Sequence, residues 1–122
     1  MTTGRSASGP GAGPGAARRG PARHERPAID EAALRAARAG DRVLREAQDR
    51  GVERWVTYLE PLPDGLRDAE LGELRRIALR ARAAYGPKDS VRDALPAEAT
   101  EPFLDAIDRL LKELARRDAA GG

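Results

Sequence analysis

A chain of 122 residues with one Trp, two Tyr and one Phe has room for one small domain, whose core must come from Leu, Ile, Val and Ala. Cysteine is absent and His24 is the single histidine, which excludes disulfides and thiolate metal sites, so neither a metal nor a cofactor is expected. The net charge of +2 is uneven: residues 1–27 carry five arginines against Glu25, for +4, and residues 28–122 carry −2.

No apolar run approaches the ~20 residues that span a membrane. Neither Arg5 nor the Arg18-Arg19 pair precedes the hydrophobic stretch of a Sec or Tat signal. The expectation is a cytoplasmic protein without membrane contact. Arg, Ala, Gly and Pro dominate, with only two lysines, Lys88 and Lys112. GC-rich coding accounts for that bias, so arginine content alone says little about nucleic acid.

Residues 1–27 are rich in Gly, Pro and Arg and have no apolar face to offset the entropy of ordering, so a disordered basic tail is expected there. A helical domain follows over residues 28–118. From Ile29 the period is helical: Ile29, Ala33, Ala36, Gly40, Val43, Leu44 and Ala47 share one face, with Arg38, Arg42, Arg45 and Asp49 opposite. Glu31–Arg35, Asp41–Arg45 and Glu46–Arg50 read as acid-first i,i+4 pairs. The stripe is built of small residues, so this helix needs a close neighbour, either the rest of the core or a second copy.

Gly51 breaks the phase. Val52, Trp55, Val56 and Leu59 make a short second helix ending near Pro61, and "EPLPDG" reads as a loop. The next helix spans 68–85, with Asp68 as N-cap and Tyr85-Gly86-Pro87 as the stop, Gly86 taking the left-handed position. Leu71, Leu74, Ala78, Ala81 and Tyr85 form its apolar face, with Ile77 at the margin, and Arg75, Arg76, Arg80 and Arg82 lie outside it. Leu79 projects outward among Gly72, Arg75, Arg76, Arg82 and Ala83. That spot reads either as a solvated face or as a partner contact formed by Arg75, Arg76, Leu79, Arg82 and Ala83.

Val91 and Leu95 read as core anchors in the next link. Asp89-Ser90-Val91 is similar to the Asp-Ser-Leu of carrier proteins, whose serine bears a phosphopantetheine arm, but Pro96 forbids the long helix that such a serine opens. A turn or local cap is the reading. Thr100 is the expected N-cap of the last helix, with Glu101 and Pro102 in its first turn. Phe103, Ile107, Leu110, Leu111 and Leu114 make the clearest apolar stripe. Asp105–Arg109, Asp108–Lys112 and Glu113–Arg117 line its outside, and residues 119–122 are expected to fray.

The fold expected is all-α: a small helical bundle of three main helices plus one short helix, behind a disordered tail. The helix after Thr100 should pack on that of residues 68–85. A core with so few large side chains is marginal, which favours a homodimer. No Gly-rich phosphate loop, nucleophile–base pair or cleft carboxylate pair emerges. Two functions stay open. One is a non-enzymatic interaction or regulatory protein that binds a protein partner or itself. The other is a nucleic-acid-associated protein using Arg18, Arg19 and Arg23 of the tail with Arg75, Arg76, Arg80 and Arg82. A helix-turn-helix is disfavoured by the long Pro-rich connection and by Glu70 and Glu73 at the end that would meet phosphate.

Overall fold

The structure, a computed structural model, describes the backbone of residues 23–121 and the side chains of residues 23–118. The described residues are mostly helical and contain no strand. A single 3-10 turn, Arg23–Glu25, leads into α1 (Pro27–Arg50), followed by α2 (Glu53–Leu59), α3 (Leu62–Asp68), α4 (Leu71–Ala83), the one-turn α5 (Val91–Ala94) and α6 (Ala97–Gly121). The structure therefore has more elements than three main helices and one short one.

α1 is the hub. It packs most extensively on α6, then on α3 and α2, while α4 packs on α6 and α3. Ile29, Ala33, Ala36, Gly40, Val43 and Ala47 are buried as the helical period predicts, and Ala32 and Ala37 widen the stripe. Leu44 is half-buried. Because these side chains are small, α1 is met by neighbours of the same chain, and its stripe is not left open for a second copy. Pro27 suits the first helical position, where its missing N–H costs nothing. Gly51 ends the helix at φ 67°. Its N–H bonds the Gln48 carbonyl at 3.1 Å and the Val52 N–H bonds that of Ala47 at 3.0 Å, the Schellman pattern that closes a helix with glycine.

Four boundaries differ from expectation. The "EPLPDG" stretch is no loop, because Leu62–Asp68 is helical and buries Leu62, Pro63 and Leu66. Prolines are tolerated in a first turn, and Asp64 there complements the helix dipole. Asp68 accordingly closes α3, and the N-cap of α4 is Glu70, whose side chain makes no capping bond. At the other end, α4 tightens through short-range bonds from Ala84, Tyr85 and Gly86 to the carbonyls of Ala81, Arg82 and Ala83. Gly86 does not enter the left-handed region; Asp89 does, at φ 53°, a conformation Asp tolerates. α6 starts at Ala97, so Thr100 is a buried residue of its first turns and Pro102 lies inside the helix. Pro102 leaves the Glu98 carbonyl without its usual helical donor, and both residues are exposed.

Most of the remaining expectations for the core hold, although Val52, Val56 and Leu111 are only half-buried. Leu71, Leu74, Ala78, Ala81 and Tyr85 are buried on α4, Phe103, Ile107, Leu110 and Leu114 on α6, and Val91 and Leu95 on the link. Ser90 caps α5 by accepting the Arg92 N–H at 3.1 Å, and the Val91 N–H returns to the Ala84 carbonyl at 2.9 Å.

Two contacts make the packing testable. A Cβ on Gly40 would stand 3.1 Å from Phe103 Cε1 and 3.4 Å from Pro63 Cγ, and Phe103 is fully buried. Overpacking of this kind costs about 1–3 kcal/mol, and alanine's helix propensity returns about 1 kcal/mol. Gly40→Ala should therefore lose about 1 kcal/mol in urea unfolding, whereas in a Phe103→Leu background the same change should be neutral or stabilising. An equal loss in both backgrounds would contradict the contact.

Tyr85 is the second. Its hydroxyl donates to the Thr100 carbonyl at 2.5 Å, and burial, with Glu101 nearby, pushes its pKa well above the ordinary tyrosine value. A folded-state pKa raised in this way leaves stability intact below about pH 10 and erodes it as pH rises further. In Tyr58→Phe protein, where Tyr85 is the remaining tyrosine, phenolate absorbance should grow only together with alkaline unfolding. Reversible ionisation of the folded chain near pH 10 would refute this.

Candidate functional site

The surface residue that stands out is Leu79 on α4, 50% exposed and the one exposed large hydrophobic side chain among the described residues. Gly72 and Ala83 beside it are also exposed. The arginines around it are engaged. Arg75 pairs with Asp118 and Arg76 with Glu73. Arg82 Nε bonds Asp108 Oδ1 at 3.0 Å. Arg80 lies 4.6 Å over the Tyr58 ring centroid, and its carbonyl accepts the Tyr58 hydroxyl at 2.7 Å. Arg75 and Arg82 thus fasten α4 to α6, and Arg80 fastens it to α2. Exposed pairs of this type contribute only ~0.2–1 kcal/mol each, yet they mute the positive charge of this face.

Arg23 is no part of a solvated arm. Its side chain is 10% exposed, with Nε on Asp30 at 2.9 Å. Its Nη1 donates to the carbonyls of Leu66 and Arg67 at 2.8 Å and of Ala69 at 3.0 Å. These belong to the C-terminal end of α3, where carbonyls lack helical partners and a cation suits the dipole. The guanidinium fork therefore closes α3 and ties it to the start of α1. Arg18 and Arg19 lie outside the described residues, as does the tail as far as residue 22.

The arginines that sequence reasoning passed over are on α1. Arg35, Arg38, Arg42 and Arg45 are exposed and pair with no described residue. The expected Asp41–Arg45 pair is absent because Asp41 instead meets Arg67 of α3. Asp108 likewise turns to Arg82, not Lys112. Glu46–Arg50 does form, at 2.8 Å. The signal was present in the spacing of these residues, but only the folded chain shows which acids are drawn away.

Among the described residues no group of three His, Cys, Asp or Glu converges as metal ligands would, and no helix is long and apolar enough to cross a membrane. A recess of about 290 Å³ between the start of α1 and the end of α6 is lined by Pro27, Ala28 and Ile29 with Glu113, Arg116 and Arg117. Glu113 is buried there but held by Arg109 at 3.2 Å and Arg116 at 3.7 Å. Near α5, Arg92 meets both carboxylate oxygens of Glu101 at 2.8 and 3.0 Å, and this hydrogen-bonded pairing holds the Glu101 carboxyl below its ordinary range. These acids are tied to arginines.

No family model, no curated protein and no solved structure matches this chain. The fold alone defines its class: an all-α protein.

The role of Arg23 yields a direct test. Hydrogen bonds to a charged group contribute about 1.5–3 kcal/mol, so Arg23→Ala should lower urea-unfolding stability by about 2 kcal/mol. Arg23→Lys, which lacks the planar fork, should recover less than half of that loss. Stability unchanged in Arg23→Ala would show that the α3 cap is not made in solution.

Proposed function

We propose that this chain is a small helical bundle acting as a non-enzymatic interaction or regulatory module, which binds a protein partner or a second copy through the outer face of α4. The supporting observation is Leu79, a large apolar side chain held half in water within a ring of guanidinium groups that acids of the same chain already neutralise. Apolar anchors flanked by arginine are what protein interfaces favour, because a neutralised guanidinium stacks and donates without demanding a new counter-charge. Phosphate contact by Arg75, Arg76, Arg80 and Arg82 has less support, since a polyanion would have to displace Asp118, Glu73 and Asp108 from three of them and compete with the Tyr58 ring for Arg80. The tight pairing of Glu113 and Glu101 with arginines supports the non-enzymatic part of the reading.

Substituting Leu79→Glu together with Arg76→Glu tests this. Neither side chain contributes to the core, so far-ultraviolet circular dichroism should match the parent. Nuclease-treated native extract passed over the immobilised parent should yield a retained protein, or sedimentation velocity should show a dimer, and the double variant should lose that association by at least tenfold. A variant that retains the same partners and the same sedimentation coefficient removes the proposal.

A further inference from the structure

We propose that the outer face of α1 is a separate surface for the phosphate backbone of nucleic acid, carried by Arg35, Arg38, Arg42 and Arg45. Their spacing of three, four and three residues puts them within an arc of about 80° along about 15 Å of helix. That arc lies opposite the buried Ala and Gly stripe of α1. All four are exposed and pair with no described residue. Asp41 and Glu46, which flank the row, are otherwise committed, to Arg67 and Arg50. Glu31 and Asp49 share the face but stand one turn beyond either end, so the central row is uninterrupted. Residues 1–22, joined to the start of this element, hold three arginines and no acidic side chain. Like charges at these spacings work against a helix, and only Glu31 and Asp49, at the two ends of the row, offset them.

The chemistry of the face selects its occupant. Leu79, on another helix, is the exposed large hydrophobic residue, and Leu34 beside the row is partly buried, so the α1 row offers mainly charge. A protein interface needs a desolvated apolar centre, and a membrane surface needs side chains that enter the acyl boundary. Phosphates need neither. Arginine engages them by paired, charge-assisted hydrogen bonds, and a row of about 15 Å runs along about four axial steps of a duplex at ~3.4 Å each. Nothing on this face is placed to read base edges, so recognition is independent of sequence.

The test is fluorescence anisotropy of the full chain with a fluorescein-labelled, mixed-sequence DNA duplex. Four phosphate contacts on α1 contribute about −3.6 to the slope of log K against log salt, or roughly 100-fold between about 50 and 200 mM. Replacing all four arginines by Gln, a residue of similar helix propensity, should flatten the slope to that of the tail alone. The pairs Arg35→Gln with Arg38→Gln, and Arg42→Gln with Arg45→Gln, should each remove about half of the α1 contribution, which keeps the test valid should the fourfold change impair folding. Leu79→Glu with Arg76→Glu should leave DNA binding intact, so failure here is distinguishable from failure of the α4 reading. Three results overturn the proposal: no binding at about 50 mM salt, binding unaltered by the α1 changes but abolished on deleting residues 1–22, or capture by anionic phospholipid vesicles without capture by DNA.

Discussion

The approach of α1 to its neighbours at Gly40 governs the rest of the structure. With no side chain at this position, the Phe103 ring and Pro63 close on the α1 backbone, and the alanines on either side continue the same shallow seam. Little area is buried per residue on α1 itself. The large side chains come from the other side, chiefly Phe103, Ile107 and Leu110 of α6 and Leu62 and Leu66 of α3, all fully or nearly fully buried. Dense packing compensates for the shortage of bulky residues, because dispersion contacts fall off within a fraction of an ångström of separation. α4 then rests on α6 and α3, so its outer face inherits its orientation from the seam.

Electrostatics divides the exterior that this packing leaves. On α4 the arginines are drawn to acids of α4 and α6 and to the Tyr58 ring, which makes that face nearly neutral around an exposed leucine. On α1 Asp41 and Glu46 are drawn the other way, to Arg67 and Arg50, and the arginine row is offset only at its ends. Two surfaces with similar arginine content thereby acquire different physical character. One offers apolar area with muted charge, and the other offers mainly charge.

Much of the core was legible in the sequence because a 3.6-residue period in apolar side chains has one physical cause, a helix with a single buried face. The stripes of α4 and α6 and the glycine stop of α1 follow from that period and from local backbone chemistry. The helical nature of Leu62–Asp68 was hidden by Pro61, Pro63 and Gly65, residues that favour loops locally but that tertiary burial of Leu62 and Leu66 overrides. The true start of α6 was hidden because Pro102 resembles a first-turn proline. Arg23 was unreadable for another reason: a lone arginine in a Gly/Pro context carries no mark of the carbonyls of Leu66 and Arg67, more than forty residues away, that it will cap. Ion-pair choice was equally opaque, since i,i+4 spacing names a local partner while the folded chain offers Asp41 and Asp108 partners on other helices.

Because Phe103 is the single phenylalanine of the chain, its ring protons can be assigned without ambiguity in a solution NMR spectrum. The account predicts nuclear Overhauser contacts from those ring protons to the Gly40 α-protons, which the ring current should also displace far from their ordinary shift. A Phe103 ring that shows no cross-peak to Gly40, with glycine α-protons at ordinary shifts, would contradict the seam on which the fold and both surfaces depend.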